Sequence, residues 1–156
     1  MKIHLLAIGQ RMPTWVSAGY EEYAKRLPRE CSLVLHELPM ATRTKNATIE
    51  KCLAQEAGHL LAAIPPHSHI VTLEVQGSAW NTETLAKRLQ FWLTSGQSVT
   101  LLIGGPDGLA PACLEKAAER WSLSALTLPH PLVRLVVAEQ LYRAWTLLSG
   151  HPYHRA

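Results

Sequence analysis

Val99-Thr-Leu-Leu-Ile-Gly-Gly-Pro-Asp-Gly-Leu109 is the stretch that decides the fold. Val99 to Ile103 predicts a buried strand, and it empties into a loop of three glycines, a proline and a single charge. Glycines supply positive φ and let a main chain touch a ligand with no Cβ in the way. In open α/β sheets, small molecules bind outside the carboxyl ends of the strands. A second apolar segment follows, Leu123-Ser-Ala-Leu-Thr-Leu128, and then Pro129-His130-Pro131. Two backbone-rich, apolar segments suit a flat heterocycle better than a phosphate chain.

Strand and helix patterns alternate on either side of this stretch. Residues 2–8 predict a strand ending at Gly9, and helical spacing runs from Trp15 to Leu27, where Pro28 stops it. Ser32–Leu38 is a second strand and 40–47 a polar, basic loop. Thr48 is the N-cap of a helix reaching Ile64, closed by Pro65-Pro66. His69–Val75 is a third strand, broken by Gly77. Asn81 or Thr82 caps a helix to Gly96 carrying Leu85, Leu89, Trp92 and Leu93. Past the glycine loop, Pro111 opens a helix to about Arg120, and Leu123–Leu128 predicts a short fifth strand. Pro131 begins a long helix to Ser149, with Gly150 as its C-cap. The pattern implies one α/β domain over residues 1–156, a mostly parallel sheet with helices on both faces.

The length of 156 residues allows one domain with a real core. Charged residues make up only 17% and there are five Trp, which suggests that another subunit covers part of the apolar surface. The last helix points the same way. Its apolar positions, from Leu132 and Val133 through Leu141 to Trp145 and Leu148, surround it almost completely, so it needs burial on two sides. A homodimer partner is the expected second cover; a central helix of a monomer is the alternative. The net charge of +3 permits an RNA partner without arguing for one. Cys31, Cys52 and Cys113 form no C-x-x-C pair, so they read as reduced, mostly buried thiols of a cytoplasmic protein. The N-terminal run reads as a strand rather than a signal peptide, and no run has membrane-spanning length.

The loop Gly104-Gly105-Pro106-Asp107-Gly108 has neither the P-loop lysine nor the spacing of a dinucleotide fingerprint. By itself it is either a tight turn or a ligand seat. His130, stiff between two prolines, is either a base or ligand-orienting group or a helix-entry residue bonded to backbone. Glu139 and Arg143 stand four apart, the spacing of an intrahelical ion pair. Tyr153, His154 and Arg155 are either a disordered end or a ring, an imidazole and a guanidinium offered to an RNA base and phosphate. His151 and His154 lack the further ligands a metal site needs, so no metal is expected. Arg11, Lys25, Arg26, Arg29, Arg43 and Lys45 form either a solvated mixed face with the interleaved glutamates or a phosphate-contact surface.

Taken together, Leu102-Ile-Gly-Gly-Pro-Asp-Gly108, Leu123-Ser-Ala-Leu-Thr-Leu-Pro-His-Pro131, Arg134, Glu139-Gln-Leu-Tyr-Arg-Ala144 and His151-Pro-Tyr-His-Arg155 closely resemble the ribosomal large subunit methyltransferase H family. Lys2–Gly9, Trp15, Glu22-Tyr23 and Ile70–Glu74 also fit, so the resemblance spans essentially the whole chain. Asp107 stands where many relatives carry Glu. The resemblance implies a SPOUT-class methyltransferase with a C-terminal trefoil knot, a feature nearly absent among folds, acting as a homodimer. It further implies transfer from S-adenosyl-L-methionine to N3 of a pseudouridine in 23S rRNA within the assembled ribosome. Cofactor contacts are implied at Leu73, Gly104 and the run Leu123, Ser124, Ala125, Leu126, Thr127 and Leu128, with Gly105 allowing the same close approach as Gly104. His130, Glu139, Arg143, Tyr153, His154 and Arg155 match substrate-side positions. Because a protonated imide N3 is a poor nucleophile, a base is needed: His154 is the first candidate and His130 the second, with Arg143 or Arg155 stabilising the developing charge. A non-catalytic RNA-binding or ribosome-assembly protein of the same fold is the main rival reading, and a tRNA methyltransferase is another. A nucleotide hydrolase is disfavoured by the missing phosphate lysine and metal carboxylates.

Overall fold

The computed structural model of the chain describes residues 1–154, His154 by its main chain only. Five strands, β1 (Lys2–Ile8), β2 (Ser32–Leu38), β3 (His69–Ala79), β4 (Val99–Ile103) and β5 (Glu119–Ser122), form one sheet in the order β2-β1-β4-β3-β5. Every pairing is parallel. All five residues of β4 are buried, as a strand covered on both faces requires. Helices α1 (Thr14–Ala24), α3 (Thr82–Ser95) and α5 (His130–Ser149) pack on one face over Leu5, Val71, Leu101 and Trp121. Helices α2 (Ile49–Ala63) and α4 (Pro111–Lys116) cover the other, over Leu6, Ile8 and Leu102.

The caps fall where their side chains can satisfy free helix N–H groups. Thr48 Oγ1 accepts from the Lys51 N–H at 3.1 Å, and Asn81 Oδ1 accepts from the Thr84 N–H at 2.8 Å. Gly96 and Gly150 close α3 and α5 in the left-handed region, at φ 77° and 76°. Helix α1 ends at Ala24, earlier than its pattern suggests, because Arg26 and Leu27 bond back three residues and tighten the last turn. All three cysteines are free and buried.

Three expectations need correction. Leu123–Leu128 is loop, not strand; the fifth strand is Glu119–Ser122. Ser122 pairs with Ala79, the last residue of β3, so beyond it there is no neighbour left to bond. The helix from Pro111 stops at Lys116 rather than near Arg120, because the Ala118 N–H is taken by the Ile70 carbonyl at 2.8 Å as the chain joins the sheet. Gly77 also does not end β3. The register slips between Leu73 and Ser78, both opposite Trp121, so residues 74–77 bulge out of the ladder. A Cβ on Gly77 would stand 2.8 Å from the main chain of Arg120 and Trp121, which is why glycine sits there.

From β1 the chain runs to one edge of the sheet, and from β4 it runs to the other, with α1 and α4 on opposite faces. The direction of winding therefore reverses between β1 and β4.

Candidate functional site

At the carboxyl ends of β3, β4 and β5 lies a cavity of about 620 Å³, within the range of small-molecule sites. Its floor is Ile103 and the loop Gly104–Gly108; its walls are the β3 bulge, the segment after β5 and the start of α5. The loop folds on itself through the Gly108 N–H to Gly105 carbonyl bond at 3.1 Å. A Cβ on Gly104 would overlap the Gly108 carbonyl, and Gly108 has φ 81°. Both positions therefore require glycine.

Residues 123–128 are held from within. Ser122 Oγ donates to the Ser124 carbonyl at 3.0 Å, and Ser124 Oγ accepts from the Leu126 N–H at 2.9 Å. Among the described residues, no main-chain hydrogen bond ties this segment to another element, so most of its amides and carbonyls are available to a ligand. Leu126 is 73% exposed at the rim. Of the residues expected to contact a cofactor, Leu73, Gly104, Gly105, Leu123, Ser124, Leu126, Thr127 and Leu128 line the cavity; Ala125 lies in the same loop but does not. Glu74, Val75 and Gln76 line it as well, turned there by the bulge. Glu74 is the one carboxylate on the wall among the described residues, 3.8 Å from Arg120 Nε.

His130 also lines the cavity, as the first residue of α5. Its Nδ1 is buried without a hydrogen-bond partner, so the backbone-bonded reading of this histidine does not hold at that atom. Burial, helped by the nearby Arg134 charge, lowers its pKa from 6.5 and favours the neutral ring. The ring sits over Gly9, where a Cβ would come 3.0 Å from His130 Cε1. Arg134, one turn on and 1% exposed, anchors the helix start: Nη1 meets Glu37 at 2.7 Å, and Nη2 reaches the Ile8 and Gly9 carbonyls at 3.4 and 3.3 Å. Removing it would leave the Ile8 and Gly9 carbonyls without this donor and free the start of α5 from β1 and β2.

A second cluster lies farther along α5. Glu139 Oε1 accepts from Arg143 Nε at 2.9 Å, from Arg143 Nη2 at 2.6 Å and from the Tyr153 hydroxyl at 3.0 Å. The Arg143 guanidinium lies 5.1 Å from the Tyr153 ring centroid, and the Tyr142 and Tyr153 centroids are 4.6 Å apart. Burial and the bond to Glu139 push the Tyr153 pKa upward, so it remains a neutral donor. Glu139 and Arg143 thus form the expected ion pair and also dock the tail. None of the three lines the cavity. At about 1.5 Å per residue, Glu139 is about 14 Å and Arg143 about 20 Å along the axis from His130. Arg155 and the His154 side chain lie outside the described residues.

Arg43, grouped above with a phosphate-contact face, is instead bound to Glu56 and Asp107. Among the described residues no helix is long and apolar enough to cross a membrane.

A family model described as "Predicted SPOUT methyltransferase" matches residues 1–154. The chain is 57% identical over 155 residues to the ribosomal RNA large subunit methyltransferase H of Methylococcus capsulatus, covering 99% of this chain and 100% of that one. The chain belongs to the ribosomal RNA large subunit methyltransferase H family. Its Nitrosococcus oceani member is 55% identical, with 100% and 99% of the two chains covered. Among solved structures, a probable methyltransferase from Bordetella pertussis superposes with a TM-score of 0.56 at 17% identity, over 91% of this chain and 95% of that one. That likeness shows a shared fold and no more. Membership in a methyltransferase family implies a methyl donor.

Proposed function

We propose that the chain, acting as one domain over residues 1–156, methylates N3 of a pseudouridine in 23S rRNA on the assembled ribosome in the cytoplasm, with S-adenosyl-L-methionine as donor. The observation that carries this reading is the cavity at the carboxyl ends of β4 and β3, built from main chain and apolar side chains. Its relatives bear the name of a large-subunit rRNA methyltransferase, which supports the substrate class.

The residues present fit the donor. Gly104 admits close approach because no Cβ can stand there, and the free main-chain groups of 123–128 match the hydrogen-bonding edge of an adenine. Glu74 offers a carboxylate toward a cationic ligand, and a neutral His130 adds no opposing charge. When bound, the donor supplies an electrophilic methyl group on a sulfonium. The chain's part is to hold that group and the base nitrogen in line and to relieve the nitrogen of its proton. His154 is the first residue assigned to that proton and His130 the second, His130 being already neutral and at the cavity wall. Arg143 or Arg155 neutralises charge developing on the base.

The cavity and the Glu139–Arg143–Tyr153 cluster lie at opposite parts of α5, so one chain does not bring them together. A homodimer in which one protomer's tail meets its partner's cavity does, and it also covers the second apolar side of α5. The deciding experiment is methyl incorporation into ribosomes that carry the target pseudouridine and into ribosomes that carry uridine there. Incorporation into the first alone supports the reading. Equal incorporation, or none into either, overturns it. Methylation of tRNA instead of ribosomes would favour the wider-class alternative. A chain that binds ribosomes but gives no heat with S-adenosylmethionine would be a non-catalytic assembly factor.

A further inference from the structure

The polar loop between β2 and α2 is fastened to the glycine loop through one guanidinium. Arg43 Nη1 donates to the Ala41 carbonyl at 2.8 Å and to Glu56 Oε2. Its other edge reaches Asp107 Oδ2, at 3.0 Å from Nη2 and 3.3 Å from Nε. Glu56, on α2, is 2% exposed and also accepts the Ala41 N–H at 2.9 Å. Its Oε1 lies 3.3 Å from where a Cβ on Gly105 would stand. Helix α2, the loop 39–48 and the glycine loop therefore meet at one charge-assisted junction.

A buried carboxylate needs a cation, so the Glu56–Arg43 half follows from burial alone. Asp107 does not follow from it. Its side chain is 28% exposed and neutralises nothing buried, yet it takes the free edge of the fork. Among the described residues, the one main-chain tie inside the glycine loop is the Gly105–Gly108 bridge. Asp107 is the residue of that loop that anchors it to the rest of the molecule.

We infer that Asp107 is a positioning residue: through Arg43 and Glu56 it holds Gly104–Gly108 in the shape that receives the methyl donor. This rests on the donor-pocket reading above. A loop already in its binding shape loses less freedom when the ligand arrives, and that difference appears as affinity. Arg43, held protonated by the two carboxylates, keeps the junction intact across neutral pH. The same geometry takes Arg43 away from RNA phosphates.

The test uses D107A, which leaves the buried Arg43–Glu56 pair in place, and D107E as the conservative rescue. Titration calorimetry with S-adenosylmethionine, steady-state methylation of ribosomes and amide exchange of the free protein are measured together. D107A should weaken donor Kd and raise donor KM roughly fivefold while kcat stays within about twofold. Exchange at 104–108 should quicken with Tm unchanged, and D107E should restore all of these. Wild-type affinity with wild-type exchange in D107A overturns the inference, and so does an affinity loss matched by a fall in Tm. A wild-type chain that gives no heat with the donor overturns the donor-pocket reading instead, and exchange at 104–108 in D107A then still decides whether Asp107 holds the loop.

Discussion

The cavity at the start of α5 and the tail cluster farther along it are built from opposite materials. The first is mostly main chain and aliphatic carbon, shaped by glycines, a bulge and a helix start. The second is a carboxylate, a guanidinium and a phenol joined by short charge-assisted bonds. Shape recognition calls for a rigid backbone that admits a ligand closely. Proton movement and charge stabilisation call for side chains whose polarity can be directed. On the proposed function these tasks fall largely on separate parts of one helix, and that separation is what the following experiments can break or sharpen.

The largest effect is expected from replacing Tyr153, His154 and Arg155 together by alanine. Turnover on ribosomes should fall on the order of a thousandfold, while calorimetric donor affinity stays within about twofold. Turnover equal to wild type would remove the tail from the chemistry. G104A should do the reverse. Its Cβ meets the Gly108 carbonyl, which is main chain and cannot step aside, so donor affinity should drop about a hundredfold while the sheet still unfolds cooperatively. Mixing these two inactive proteins then tests the division between subunits. Random exchange of protomers should restore up to about a quarter of wild-type activity if each site joins one protomer's tail to its partner's cavity. No recovery on mixing means both halves act within one chain.

E139Q comes next in size. It weakens three bonds at once, so the tail should lose its dock at a cost of about 1–2 kcal/mol, read as faster amide exchange at 151–153 with exchange at the glycine loop unchanged. Loss of protection at both ends would show the clusters to be coupled. The smallest effect concerns pH. Burial lowers the pKa of His130, and likewise of His4, from 6.5, so the folded chain binds fewer protons than the unfolded chain just below that value. Their contribution is present above pH 6.5 and is lost as pH falls through the folded values. Urea midpoints should decline from pH 7 toward 5, and H130Q should decline less steeply. Equal slopes would mean the His130 ring is not desolvated.

Much of this division could be read from residue order. Val99–Ile103 with its glycine loop, the caps at Thr48 and Asn81, the stops at Gly96 and Gly150, and the Glu139–Arg143 spacing all depend on neighbours within a few positions. The misreadings share one cause. Leu123–Leu128 has the apolar content of a strand but no partner strand beside it, and Gly77 has the look of a breaker but serves a bulge. Glu74 and Gln76 reach the cavity only through that bulge, and nothing local announces a register slip between β3 and β5. Arg43 reads as one of several surface cations until the fold brings a buried Glu56 and Asp107 to either side of it.

Periodicity, capping chemistry and glycine placement, together with the motif resemblance, were enough to determine an α/β sheet with a glycine loop after its central strand, because each of those signals is local. Which strands lie side by side, where a ladder runs out of partners, which carboxylate is sealed from water and how far the tail cluster sits from the cavity were decided only by the tertiary structure. These depend on contacts between residues distant in the chain, and such contacts are set by packing the whole sheet rather than by any one segment.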